Sequence, residues 1–218
     1  HYIELLNEVI VNVLGEKGKL QYQISSDQKE EKISEKNEKV SKSISESKSS
    51  YNNLNKNFRF KSFVSGKCNS VAKAAGKRIS QSPGNNPFNP LMIYGGVGLG
   101  KTHLIQSIGN KISKKLKSSV YYVTSEKFAN QFIDSLKENK LKDFINFYSN
   151  IDCLILDDVQ FFKGKEKTQE VFFHIFNQLN LNSKQIILAA DKSPVELNGL
   201  EKRLVSRFKS GLTVEIEK

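Results

Sequence analysis

No apolar run in this 218-residue chain reaches membrane-spanning length, and no stretch has the order of a secretory signal. Apolar residues are scarce, at 38%, so part of the chain is expected not to pack. Cysteine is nearly absent too: Cys68 and Cys153 are the only two. They lack any metal-ligand spacing, and Cys153 lies inside an apolar run, which predicts a buried free thiol. These absences predict a cytoplasmic protein. Positive charge, by contrast, is in excess. The net charge of +11 favours an anionic partner, either nucleic acid or an acidic membrane surface.

The most informative stretch runs from Leu91 to His103, L-M-I-Y-G-G-V-G-L-G-K-T-H. Gly95, Gly100, Lys101 and Thr102 fill every fixed position of G-x-x-x-x-G-K-[ST]. An apolar run leads in and a helical pattern (Leu104, Ile105, Ile108) leads out, so the loop is expected between a strand and a helix. Gly95, Gly96, Gly98 and Gly100 let the loop turn sharply and point successive N–H groups inward. The helix that follows adds the positive end of its dipole. Lys101 would reach the β- and γ-phosphates, and Thr102 would offer its hydroxyl to Mg²⁺. A chance glycine turn before a lysine would not need both the strand and the helix.

The rest of the chain divides in three. Residues 1–25 offer one amphipathic helix and one alternating strand, too little to enclose a core. They are expected to be the remnant of a small α/β domain, because the helical pattern is already running at His1. Residues 26–53 form the second part. Up to residue 50 Ser alternates with Lys and Glu at zero net charge, and only Ile33, Val40 and Ile44 are apolar. This composition predicts a disordered, flexible linker. The third part, residues 54–218, is the basic one. It predicts a helix over Ser70–Ile79 and strands at Leu91–Tyr94, Val120–Val123, Cys153–Leu156, Ile186–Ala190 and Leu212–Ile216. Alternation of strand and helix predicts an α/β fold with a parallel sheet covered on both faces. The strand-like run near Lys218 is expected of a chain cut from a longer protein.

Two further signals carry chemistry. Leu154-Ile155-Leu156 followed by Asp157-Asp158 fits a Walker B strand, some fifty residues after the glycine loop. Asp157 would hold Mg²⁺ and Asp158 would orient an attacking water. Alone, an apolar run before two acids more often marks a strand end at a solvated turn. The buried run Ile186–Ala190 ends at Asp191, a polar strand end of the kind a P-loop enzyme can use to sense a γ-phosphate. Leu200–Phe208 predicts a short helix with Arg203 and Arg207 on one face. Such an arginine can act as a finger in a neighbour's site, or simply decorate a basic helix by pairing with Glu201.

Four runs in order, Y-G-G-V-G-L-G-K-T-H, L-D-D-V-Q-F-F, L-A-A-D-K-S-P and L-E-K-R-L-V-S-R-F-K-S-G-L, resemble the bacterial chromosomal replication initiators, the DnaA family of AAA+ ATPases. Phe60–Asn69 resembles that family's segment before the core. The resemblance covers residues 54 to 218. It implies an AAA+ P-loop NTPase core with a five-stranded parallel sheet, a slow ATPase whose nucleotide acts as an assembly switch. It implies that Gly95, Gly96, Gly98, Gly100, Lys101, Thr102, His103 and Asp191 bind ATP or ADP, and that Thr102 and Asp157 hold Mg²⁺. Asp158 and, from a neighbouring subunit, Arg207 would be catalytic. The helices over Ser125–Tyr148 correspond to an insertion that shapes a spiral filament. Ile133, Lys165 and Lys167 fall where the family contacts single-stranded DNA.

The implied partners are DNA, further copies of the chain, the replicative helicase through an amino-terminal domain, and acidic phospholipids. The family's lid with its sensor 2 arginine and its helix-turn-helix domain would follow Lys218, so this chain is expected to hold nucleotide less securely and not to recognise an origin box. An AAA+ helicase loader, or a regulatory relative lacking origin recognition, is the alternative. A σ-factor-type activator is excluded by the lack of a G-A-F-T-G-A loop.

Overall fold

The computed structural model describes residues 53–116 and 118–218. The helix and strand expected over residues 1–25 lie outside the described residues, and so does the linker expected over 26–53, save its last position. Within them the chain alternates as its apolar pattern requires. In order come α1 (Ser70–Ile79), β1 (Leu91–Tyr94), α2 (Lys101–Leu116) and β2 (Val120–Thr124). The pair α3 (Ser125–Lys137) and α4 (Leu141–Ser149) precedes β3 (Cys153–Asp157). Then follow α5 (Glu166–Leu181), β4 (Gln185–Ala190), α6 (Lys202–Phe208) and β5 (Leu212–Glu215). All five expected strands form. Their ends shift by a residue: β3 runs on to include Asp157, and β5 stops before Ile216.

The strands pair in parallel in the order β2-β3-β4-β1-β5. Central strands of such a sheet are covered on both faces, which is why β3 and β4 are apolar almost without interruption. Alternate side chains enter two cores. Leu91, Ile93, Ile155 and Ile187 pack with Ala72, Ile105 and Ile108 of α1 and α2. Met92, Leu154, Leu156 and Leu188 pack with Phe128, Phe172 and Phe176 of α3 and α5. Cys153 is buried and unbridged, as its apolar setting predicts.

The second core is aromatic. The Phe128 ring lies 4.8 Å from Tyr148, 5.2 Å from Phe144 and 5.4 Å from Phe172, centroid to centroid and edge to face. Such pairs contribute about 0.5–1.5 kcal/mol each beyond the area they bury. They hold the α3–α4 pair against the sheet. The Thr124 hydroxyl starts α3 by accepting the Lys127 N–H at 3.2 Å.

The topology sets up the site. Strand β4 lies between β3 and β1, so the residues that leave these three strands converge on one carboxyl edge, where ligands of open α/β sheets bind. A cavity of about 320 Å³ lined by Val120, Tyr121, Phe147 and Ile151 lies at the opposite edge and takes no part in this convergence.

Candidate nucleotide site

The glycine loop connects β1 to α2. Gly95 has φ 147°, and a Cβ there would sit 2.3 Å from the Ile216 carbonyl oxygen. Only glycine lets the chain leave β1 so close to the end of β5. Gly98 and Gly100 also have positive φ, 79° and 88°.

Lys101 opens α2 and is 7% exposed. Its ammonium donates to the Gly95 carbonyl at 2.9 Å, the Gly96 carbonyl at 3.0 Å and Asp191 Oδ1 at 2.9 Å. A buried charge requires that kind of satisfaction. Asp191 directly follows β4, so the end of that strand meets the loop lysine.

Thr102 faces β3. Its hydroxyl donates to Asp157 Oδ2 at 2.7 Å, and the Tyr122 hydroxyl donates to the same oxygen at 3.0 Å. Asp157 is 1% exposed. Burial pushes its carboxyl above the usual range; the nearby Asp158 adds to this, while the Thr102 and Tyr122 hydroxyls oppose it. A buried carboxylate of this kind favours a cation beside it. Thr102 and Asp157 offer hard oxygen donors of the sort Mg²⁺ takes. Among the described residues no three His, Cys, Asp or Glu side chains converge as a metal cage.

Asp158 adopts the left-handed conformation (φ 56°, ψ 50°), which turns the chain sharply out of β3 into a short 3-10 turn over Val159–Phe162. Its backbone N–H donates to Asp157 Oδ1 at 3.0 Å. Gln160 then reaches back: its Nε2 donates to Asp158 Oδ1 at 3.1 Å and to Asp191 Oδ2 at 2.8 Å. The structure thus brings Lys101, Thr102, Asp157, Asp158 and Asp191 together.

It also adds two residues that motif reading passed over. Gln160 stands two positions after the acid pair, and a polar residue there was the available signal. Tyr122 had none, because an apolar strand with two tyrosines reads only as core.

His103 behaves differently from its loop neighbours. Its ring stacks on Phe58 at 4.8 Å and meets Phe63 edge-on at 5.5 Å. Its Nε2 lies 3.2 Å from the Arg59 carbonyl oxygen and 3.3 Å from Ser62 Oγ. The side chain therefore ties the lead-in segment to α2. That segment is anchored further by Asn110, whose Nδ2 donates to the carbonyls of Asn55 and Phe58 at 2.8 Å each.

The remaining candidates lie on other elements. Arg207, on α6, has its guanidinium 5.9 Å from the Phe173 ring centroid. Glu201 pairs with Arg203, not with Arg207. Among the described residues Arg207 makes no ion pair, so the local pairing weighed for it is absent. Ile133 is 44% exposed on α3, an unusual setting for isoleucine, with Leu136 one turn away and equally open. Lys165 immediately precedes α5, and Lys167 is exposed in its first turn.

The family described as "Bacterial DnaA ATPAse domain" matches residues 54–215. The chromosomal replication initiator protein DnaA of Chlorobaculum tepidum is 54% identical over 166 residues, 76% of this chain and 34% of that protein. The DnaA protein of Flavobacterium psychrophilum is 52% identical over 164 residues, 75% of this chain and 34% of its own length. The chain therefore spans about a third of the length of these relatives. Among solved structures, a replication initiator DnaA bound to AMPPCP and single-stranded DNA superposes with a TM-score of 0.74 at 46% identity, covering 76% of this chain and 51% of that one.

Proposed function

The chain belongs to the bacterial DnaA ATPase-domain family, and from that premise we propose that it is the nucleotide-binding and self-assembly domain of an ATP-dependent initiator of chromosomal replication. The observation that carries this reading is the joint made by Thr102 Oγ1 and Asp157 Oδ2 at 2.7 Å beside the buried Lys101–Asp191 pair. One cation and one pair of oxygen donors stand at the mouth of a glycine loop, which is what a triphosphate with its metal requires. Initiators, not helicase loaders, are the relatives matched at high identity, so the loader alternative is not favoured.

Each residue then has a role. Phosphate oxygens compete with the Gly95 and Gly96 carbonyls for the Lys101 ammonium. Thr102 and Asp157 hold Mg²⁺, which supplies charge neutralisation on the phosphates. Asp158 orients the water that attacks the γ-phosphorus. Gln160 keeps Asp158 and Asp191 in fixed relation, so the γ-phosphate is read by both. Hydrolysis is slow because Lys101 and Mg²⁺ leave the charge that develops in the transition state short of one further cation. Arg207 of an adjoining subunit supplies it, and such arginines are worth about 10³–10⁵ in rate. Nucleotide state is thereby coupled to assembly. Ile133, Lys165 and Lys167 contact single-stranded DNA within the assembly.

In the same reading residues 1–25 end an amino-terminal domain that meets the replicative helicase, and residues 26–53 link it to the ATPase domain. Origin recognition lies in parts of the protein beyond this domain. Acidic phospholipids are a further partner, and the protein acts in the cytoplasm on the nucleoid.

The test is assembly of the full-length protein on single-stranded DNA by sedimentation, with AMPPCP and with ADP. Arg207→Ala should keep monomer ATP affinity within about threefold, near 0.7 kcal/mol, and lose the AMPPCP-dependent oligomer. Normal assembly of Arg207→Ala alone would rule out the finger.

A further inference from the structure

The excess positive charge is not spread over the domain. Residues 54–125 contain twelve Lys and Arg and no Asp or Glu, while residues 126–218 carry fourteen of each sign. The acid-free stretch builds one layer of the fold: the lead-in segment, α1 and α2, all packed on the same face of the sheet. The two helices approach closely, since a Cβ on Gly76 would lie 2.7 Å from Ile108 Cδ1. Lys77 and Arg78 of α1 and Lys114 and Lys115 of α2 are exposed. Lys111 and Lys73 lie over the rings of Phe60 and Phe63, at 5.5 and 5.6 Å from the centroids. Of the flanking acids, Glu217 marks the edge of this layer, where its N–H reaches the Cys68 carbonyl at 3.4 Å.

We propose that the outward face of α1 and α2, with the lead-in segment, binds the phosphodiester backbone of duplex DNA without regard to sequence, apart from the single-strand contacts assigned to α3 and α5. Charge complementarity selects an anionic partner. Side-chain chemistry selects among anions. A membrane-surface helix needs outward aromatic or leucine-rich anchoring, and single strands are held by stacking on exposed rings. In this layer no Phe or Tyr is exposed, and its most open apolar side chains are the valines Val64, Val71 and Val97. What it offers is a set of exposed ammonium and guanidinium groups on a helical surface, suited to a regular array of phosphates. Lys77, Arg78, Lys114 and Lys115 are not among the nucleotide-site residues, so the inference can fail while that site stands.

Binding of the 218-residue chain to a fluorescein-labelled 30-bp duplex of random sequence, followed by anisotropy across a salt series, tests this. The triple variant Lys77→Gln, Arg78→Gln, Lys114→Gln should flatten the slope of log K against log salt by about 2.7, from 0.9 per lost phosphate contact. A control triple with the same charge change in the other layer, Lys142→Gln, Lys202→Gln, Lys209→Gln, should leave the slope near that of the parent. Unchanged ATP affinity in both triples, by calorimetry, shows that the fold and nucleotide site persist. Equal flattening by both triples would overturn the proposal, because net charge alone would then explain binding. Binding to phosphatidylglycerol vesicles with no measurable binding to the duplex would also overturn it, in favour of a lipid surface.

Discussion

The Gln160 carboxamide bridges two acids from different strands: its Nε2 is 2.8 Å from Asp191 Oδ2 and 3.1 Å from Asp158 Oδ1. Asp191 in turn holds Lys101. Asp158, Asp191 and Lys101 are therefore one connected unit, and Gln160 is its only amide. Gln160→Ala should lower ATP turnover per bound nucleotide at least tenfold, about 1.4 kcal/mol in the barrier, while binding changes little. Single-turnover hydrolysis beside calorimetry measures both. A loss confined to binding would place Gln160 in ground-state contact instead.

Asp158→Asn should separate hydrolysis from binding in the same direction and more strongly. In the proposed mechanism the carboxylate acts on water, which matters in the transition state and little in the ground state. In the full-length protein, turnover should fall while ATP affinity stays within a few-fold. Collapse of affinity with turnover per bound ATP preserved would contradict the role.

Asp152 supports the opposite end of the sheet and predicts a pH effect. Its carboxylate accepts from Ser119 N and Ser119 Oγ at 2.9 Å each and pairs with Lys184 at 2.7 Å. Burial works against the charged form, but the Lys184 and Ser119 donors outweigh it and hold the carboxyl below its usual range. A depressed carboxyl adds stability above its unfolded pKa and loses it as pH falls through the folded value. Asp152→Asn should therefore cost about 1 kcal/mol at pH 7, the pair being part-exposed, and less at an acid pH below the usual carboxylate range. Urea midpoints at the two pH values give the difference, and an equal cost at both would contradict the assignment.

Much of this was legible in the sequence because the signals are local. The helix over Ser70–Ile79 and the strand over Leu91–Tyr94 follow from apolar runs bounded by polar turns, and the P-loop follows from its glycines. Asp191 could be read only as the polar end of a buried strand. Its contact with Lys101, ninety residues away in sequence, depends on β4 lying beside β1, which spacing does not encode. Tyr122 illustrates the same limit, since its hydroxyl meets Asp157 only through the pairing of β2 with β3. His103 shows the reverse. Motif position grouped it with the loop, yet aromatic packing against Phe58 and Phe63 claims its ring.

The nucleotide site rests on Lys101, the side-chain cation that the loop and Asp191 together enclose. Titrating ATP with Mg²⁺ into the 218-residue chain and into Lys101→Ala, with melting temperatures confirming that both are folded, tests it most directly. The account predicts affinity at least tenfold weaker in the variant, about 1.4 kcal/mol. Equal affinity in two folded proteins would contradict it.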